Sequence, residues 1–367
     1  MTSANGSSPS SSSAAFSVAP RLSGDGIGIL ATGSYVPEEI VTNDDIAALV
    51  PTSDEWIQKH LGIKERRHAA PNEQSSDLAV NAAKNALQKA GLKETDLDAI
   101  IVGLGNGDVA SPATACYVQK KLGAQCLAFD IRAACAGFLV GLELARGMVG
   151  NGSHQNVLVI GVDVVSRTRI DWTDRTLPAI FGDGAGCAII GRTSSSASNL
   201  ASVDDTAAAM GEPSSGFISA YFNTDGKSAH YVGIDAGGSV EPLSKAAIEN
   251  KSHLLHMLGH EVWEHATRSL PDAIRRVLKD ADAEASDLDF VVTHQANLRL
   301  IEAVLDDVGV PMSKTYTTVE KYANTLVASL PITLDEAVRA GHIKEGDLVL
   351  LTAIGAGMTW GAHLIRF

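Results

Sequence analysis

Apolar residues in this chain gather into short, nearly unbroken runs separated by longer stretches of helical period. The runs are Gly26-Ile-Gly-Ile-Leu-Ala-Thr32, Ala99-Ile-Ile-Val102, Cys126-Leu-Ala-Phe129, Val157-Leu-Val-Ile-Gly161, Gly186-Cys-Ala-Ile-Ile190, Phe290-Val-Val-Thr293 and Leu348-Val-Leu-Leu-Thr352. Runs of that length, with so few polar interruptions, predict strands covered on both faces. Leu139, Leu142, Leu144 and Val149 recur loosely at helical spacing, which predicts a helix after Phe138. Thr52-Ser-Asp-Glu-Trp56-Ile-Gln opens like another helix, with Thr52 or Ser53 as cap and acids in the first turn.

One arrangement occurs twice. A helix-like segment from Ala82 leads through a charged turn ending Asp96-Leu-Asp98 into the run at Ala99. A second from Ala273 leads through Asp287-Leu-Asp289 into the run at Phe290, in the same register. A shared helix–turn–strand order predicts an internal duplication. The expected fold class is therefore α/β, with two mixed-sheet halves at residues 26–200 and 216–367. Residues 1–25 are Ser-rich and poor in large apolar side chains, the composition of a disordered leader. Residues 193–215, rich in Ser, Ala and Asp, are expected to form an exposed loop between the halves.

Composition narrows the possibilities. A net charge of −14 without a basic run argues against nucleic-acid binding. No apolar run reaches the ~18 residues of a membrane span. The leader has neither the charged start nor the apolar centre of a secretory signal. Four cysteines without a C-x-x-C pair suit free thiols in a reducing compartment, and the expected location is the cytoplasm.

Candidate chemistry centres on Asp130-Ile-Arg-Ala-Ala-Cys135-Ala-Gly-Phe138. A strand feeding directly into a helix puts Cys135 at a helix N-terminus, where free backbone N–H groups lower a thiol's pKa. Its small neighbours leave room for a substrate. A buried cysteine acting only as a small hydrophobe gives the same local pattern. His294 follows an apolar strand, where ligands meet α/β sheets, and Asn324 stands at a candidate helix start. Each has an ordinary alternative, a loop histidine and a helix cap. Brought together by a pseudo-twofold, the three would let a thiolate attack a thioester while imidazole and amide N–H groups stabilise an enolate. Gly355-Ala356-Gly357 could offer oxyanion-hole amides or only a tight turn. Phe181-Gly-Asp-Gly-Ala-Gly186 lacks the Lys-Ser/Thr ending of a phosphate loop, so nucleotide hydrolysis is rejected.

Seven segments together resemble the β-ketoacyl-acyl-carrier-protein synthase III family of the thiolase superfamily, from about residue 26 to Phe367. They are Thr52-Ser-Asp-Glu-Trp56, Ala133-Ala-Cys135-Ala-Gly-Phe138, Thr173-Asp-Arg175, Phe181-Gly-Asp-Gly-Ala-Gly186, His294-Gln-Ala-Asn297-Leu-Arg299, Asn324-Thr and Thr359-Trp-Gly361. The resemblance implies a five-layer αβαβα sandwich, a homodimer and decarboxylative Claisen condensation with no metal or redox cofactor. Its substrates would be coenzyme A or phosphopantetheine thioesters, with an acyl carrier protein as partner. Cys135 would carry the acyl group, and His294 and Asn324 would promote loss of CO2 from a malonyl thioester. Backbone N–H groups of Cys135 and Ala356 would form the oxyanion hole. Trp56 and Arg175 would clamp the adenine, and Asn297 and Arg299 belong to the expected substrate-binding set.

Several positions depart from the family's fatty-acid-initiating members. Asp306, Asp307 and Glu264 stand where basic residues commonly meet an acidic carrier protein, and such a change weakens encounter. His60 replaces an arginine near the pantetheine tunnel. Ser111 stands where short-chain enzymes have a Phe that crosses the dimer and blocks the acyl pocket, so a longer or bulkier chain is expected. Ala323 and Leu326 replace Gly and Ser around Asn324-Thr. These departures favour a condensing enzyme that joins an atypical, longer acyl group to a malonyl or β-ketoacyl thioester in specialised, for example polyketide, metabolism. Acyl transfer to a hydroxyl or amine on the same scaffold, and ordinary fatty-acid initiation, are the alternatives.

Overall fold

The computed structural model describes residues 26–193 and 215–367. The leader at 1–25, and the expected loop except for its end residues 193 and 215, lie outside the described residues. The apolar runs become two mixed sheets. The first contains β1 (Ile27–Tyr35), β2 (Ala99–Gly103), β3 (Leu127–Ile131), β4 (Val157–Asp163) and β5 (Gly184–Arg192), in the order β1-β5-β4-β2-β3. The second contains β6 (Gly216–Thr224), β7 (Phe290–Thr293), β8 (Leu348–Gly355) and β9 (Thr359–Arg366), in the order β6-β9-β8-β7.

Strand directions repeat from one sheet to the other. β2 is parallel to β4, β4 antiparallel to β5, and β5 antiparallel to β1. β7 is parallel to β8, β8 antiparallel to β9, and β9 antiparallel to β6. The counterpart of β3 in the second half is reduced to a single parallel bridge between Val291 and Thr315. The duplicated segments are helix α1 (Ser75–Ala90) before β2 and the longer α3 (Gly259–Asp280) before β7. Their matching aspartates act alike. Asp98 accepts from the amides of Gln155 and Asn156 at the entry to β4, and Asp289 accepts from that of Leu348 at the entry to β8.

Two central helices, α2 (Gly137–Gly150) and α4 (Ser329–Arg339), lie between the sheets. Alternation along the strands builds three apolar layers. Ile100 and Leu158 face α1, while Ile101 and Val159 face the central helices. In the second sheet Val292 and Leu351 face inward, and Val291 and Leu350 face α3. Both faces of the central strands are thus covered, which is why their sequences carry no polar alternation. The result is the αβαβα sandwich of the thiolase fold.

Two short 3-10 turns, Ala134–Ala136 and Leu326–Ala328, lead into α2 and α4 at equivalent places in the repeat. Ala134 has φ of 45° and Leu326 φ of 52°, a left-handed backbone held by the surrounding packing. Through this repetition Val327 is the counterpart of Cys135.

Candidate active site

A cavity of about 220 Å³ opens where the two halves meet. Cys135, His294 and Asn324 all line it, with Ala356 on the same wall as Cys135. The rest of the lining is mainly apolar, including Val165, Phe181, Leu255, Met257 and Leu326.

Cys135 sits in the 3-10 turn after β3. Gly355 closes against that turn so tightly that a Cβ there would stand 2.6 Å from the Cys135 amide nitrogen. Only glycine permits this approach, which draws the Gly355–Ala356 backbone up to Cys135. The expectation that helix-terminal amides lower the resting thiol is corrected. Burial, reinforced by the nearby Asp163 carboxylate, pushes the Cys135 thiol up to about 12. Its own backbone N–H opposes the shift and is outweighed. Desolvation wins because one short turn supplies few amides while apolar side chains exclude water.

His294 follows β7 as expected and is buried, with 7% of its surface exposed. Its Nδ1 lies 2.5 Å from Ser329 Oγ, at the start of α4. That Oγ also accepts the Gln295 backbone N–H at 3.1 Å. Its single proton has no other acceptor among the described residues, so we assign it to His294 Nδ1. The other ring nitrogen, Nε2, then carries hydrogen and is a donor. Burial pulls His294 down to about 4, so the ring is neutral at physiological pH.

Asn324 is held by both halves. Its amide donates to the Ile180 carbonyl, and its carbonyl accepts from Gly182. Its Oδ1 accepts the Leu326 backbone N–H at 2.8 Å, which leaves Nδ2 as the donating end, without a partner among the described residues. The helix-cap alternative does not hold: Thr325 stands at the cap of the Leu326–Ala328 turn, and the Asn324 side chain closes a local turn on Leu326 instead. The 181–186 glycine motif explains itself here. A Cβ on Gly182 would meet the Tyr322 carbonyl at 2.5 Å, and one on Gly186 would meet the Ile332 nitrogen at 2.6 Å. The glycines let the Asn324 loop and α4 lie directly on β5. Asp183 of the same motif accepts from the amides of Ala69, Val165 and Ser166 and from the Ser166 hydroxyl.

Asp163 and Ser329 were not among the sequence candidates. Asp163 ends β4 fully buried, with Oδ1 accepting from the amides of Gly105 and Asn106 and Oδ2 lacking a hydrogen-bond partner among the described residues. Burial raises it to about 7. An acid closing an otherwise apolar strand was the available signal. Ser329 carries none, since its role depends on a partner 35 positions earlier in the sequence.

The remaining candidates lie outside the cavity lining. Arg175 stands 5.5 Å from the centre of the Trp56 ring, which also stacks on His60 at 4.8 Å. Asn297 caps the Leu298–Asp307 helix and donates to the His60 carbonyl, while Arg299 binds the Lys59 carbonyl and Glu302. Both therefore fasten the end of the helix that carries Trp56 (Asp54–Leu61). Ser111 is exposed in the loop after β2. Asp307 is paired with Arg275, and Glu264 with His260.

A thiol, a donor imidazole and a donor amide around one water-poor chamber, on a duplicated αβαβα scaffold, define a thiolase-fold acyltransferase of the condensing type. Comparison with known proteins specifies it further. Models of 3-oxoacyl-[acyl-carrier-protein] synthase III match residues 129–209 and, for the C-terminal part, residues 278–367. The chain is 43% identical over 341 residues to a β-ketoacyl-[acyl-carrier-protein] synthase III of Caldanaerobacter subterraneus subsp. tengcongensis, covering 93% of this chain and 97% of that one. It is 41% identical to the enzyme so named from Natranaerobius thermophilus, covering 92% and 98%. The crystal structure of 3-oxoacyl-[acyl-carrier-protein] synthase III from Aquifex aeolicus VF5 superposes with a TM-score of 0.81 at 37% identity, covering 93% of this chain and all of the other. The priming β-ketosynthase of the R1128 polyketide pathway superposes with a TM-score of 0.81 at 29% identity, covering 93% and 96%. The chain belongs to the β-ketoacyl-acyl-carrier-protein synthase III family.

Proposed function

We propose that this enzyme acylates Cys135 from a coenzyme A or carrier-protein thioester and then condenses that acyl group with a malonyl thioester. The convergence of Cys135, the His294 donor and the Asn324 amide in one cavity carries this reading. In the first half-reaction the sulfur–acyl bond forms as the donor's thioester bond breaks, and the cysteine proton goes to the departing thiol. In the second, CO2 leaves the malonyl unit and its electrons enter an enolate whose oxygen accepts from His294 Nε2 and Asn324 Nδ2. The enolate carbon attacks the acyl-cysteine, whose oxygen is held by the amides of Cys135 and Ala356, and the carbon–sulfur bond breaks to release the Cys135 thiolate, which takes a proton from solvent to restore the thiol. No step needs a metal or redox cofactor.

The names of the relatives support initiation of fatty-acid synthesis. The exposed Ser111 and the acidic Asp306, Asp307 and Glu264 support a larger acyl group and a weaker carrier interaction, as in a specialised pathway. A homodimer is supported by exposed apolar side chains at Leu127 on the edge strand β3, Leu144 and Val109, with Leu127 54% exposed. In that dimer Ser111 would border the partner's acyl chain. Trp56 and Arg175 would part to take the adenine between them. Free cysteines support a cytoplasmic location, and among the described residues no helix is long and apolar enough to cross a membrane.

Intact-protein mass spectrometry with a panel of acyl donors tests the reading, with Cys135→Ala as control. A mass gain absent from the variant, followed by CO2 release on adding malonyl thioester, is expected. Acylation without CO2 release would leave transfer to a hydroxyl or amine as the function. With Ser111→Phe, long chains should load poorly while acetyl loads normally.

A further inference from the structure

One wall of the cavity carries a cation that the condensation described above does not use. Arg169 lines the chamber together with Asn106, Val232, Ile234 and Leu255. Its Nε donates to Asn106 Oδ1 at 2.9 Å, and its Nη1 to the His253 carbonyl at 3.0 Å. Both acceptors are neutral. No carboxylate among the described residues forms an ion pair with it, and its Nη2 has no partner there. Because Asn106 turns its Oδ1 to the guanidinium, its Nδ2 is left as a second donor with no partner among the described residues. The Asp163 carboxylate on the same side makes no ion pair with it among the described residues, and its Oδ1 is held by the amides of Gly105 and Asn106.

A half-buried guanidinium against an apolar cavity has lost water without gaining an anion, and this costs free energy unless a ligand supplies one. Donors with no facing acceptor fit an oxygen acceptor, and a carboxylate best of all because it answers both charge and geometry. Asn106 also bonds Asp163, the carboxylate that acts on the Cys135 thiol, so the wall runs from the nucleophile through Asp163 and Asn106 to Arg169. His294 and Asn324 belong to other elements of the lining. The cation is therefore placed to meet the far end of an acyl chain.

We propose that Arg169 and Asn106 select acyl thioesters whose chain ends in a carboxylate, that is, monothioesters of dicarboxylic acids. This rests on the reading that Cys135 is the acylated residue. The test is the rate of Cys135 acylation, followed by intact-protein mass spectrometry, with hexanoyl- and adipoyl-coenzyme A and with octanoyl- and suberoyl-coenzyme A. The wild type should load the carboxylate-ended member of at least one pair roughly tenfold faster or better, as expected when a site's donors are answered. Arg169→Met should abolish or reverse that preference while still loading the methyl-ended chain. Arg169→Gln, which removes charge but keeps hydrogen-bonding capacity, should do the same and guards against misfolding of the Met variant. Wild-type loading with no preference, or a preference unchanged in both variants, overturns the proposal. Loading by no donor at all, acetyl included, would overturn the acyl-cysteine reading itself and this inference with it.

Discussion

Ser329 fixes which nitrogen of His294 carries the proton. The two side chains meet at 2.5 Å across the junction of β7 and α4, and the hydroxyl is also held by the Gln295 amide. An imidazole protonated at Nε2 can donate to an enolate oxygen, while the other tautomer would repel it. Ser329→Ala should therefore lower the rate of condensation roughly tenfold to a hundredfold, while acylation of Cys135 stays near the wild-type rate. Single-turnover acylation and steady-state condensation measured side by side would check this. Equal losses in both would make Ser329 a structural residue only.

The thiol's environment predicts slow alkylation at neutral pH. With Cys135 pushed up to about 12, the iodoacetamide rate should keep rising with pH through pH 9 and show no plateau near 7. Removing the neighbouring negative charge in Asp163→Asn should raise the rate severalfold at pH 8, where Asp163 is ionised. A plateau in the wild type at neutral pH would restore an activated resting thiolate.

Asp163 also links stability to pH. Its folded pKa of about 7 lies above the ordinary 3.8, so the folded state holds a proton that the unfolded chain has released. Below the unfolded value both states are protonated and there is no cost. The cost grows as pH rises toward 7 and is constant above it. Asp163→Asn should thus leave the Tm unchanged near pH 4 and raise it at pH 8, with calorimetry at several pH values as the check.

Two buried histidines work in the opposite sense. Burial pulls His294 and His363 from 6.5 down to about 4. Their contribution is fully present above the unfolded pKa and is lost as pH falls from 6.5 toward 4, where only the unfolded chain takes up the protons. His363→Phe, placed among Phe217 and Phe222, should shrink the acid-side loss of Tm. An identical acid slope in the variant would contradict the assignment.

Ala323 adopts φ of 57° and ψ of −156°, a conformation suited to glycine. Strain of about 1–3 kcal/mol stands against roughly 0.8 kcal/mol for its buried methyl, so Ala323→Gly should stabilise by about 1 kcal/mol. Urea unfolding of the two proteins would measure it. A lower midpoint for the variant would mean that methyl packing outweighs the strain.

Much of this was legible in the sequence, because it rests on periodicity and spacing. The apolar runs at Ala99, Val157 and Leu348 became fully buried strands, and the Asp98 and Asp289 turns fell at matching corners of the two sheets. The positions of Cys135, His294 and Asn324 at strand ends and turns follow from the runs that precede them. What could not be read depends on distant partners. Neither the desolvation of Cys135 nor the Ser329 proton is visible from local residues. Asn297 and Arg299 sit in a conspicuous motif, yet their hydrogen bonds go to the backbone of the Trp56 helix. Arg169 is silent in the sequence, because one arginine in an exposed-looking stretch gives no sign that it borders a cavity.

The contact between Gly355 and the Cys135 amide has a consequence for how this sequence can drift. Most catalytic positions tolerate a conservative neighbour at reduced rate, which leaves selection a gradual path. Gly355 has none, because even a methyl would displace the backbone beside Cys135, with Cys135 nitrogen, Ala133 oxygen and Ala136 nitrogen all within 2.9 Å of it. Changes of substrate range therefore fall to side chains such as Leu326 and Arg169, while the approach of β8 to the cysteine admits only glycine at its end. Innovation is confined to the chamber's walls, and the seam behind the sulfur is closed to it.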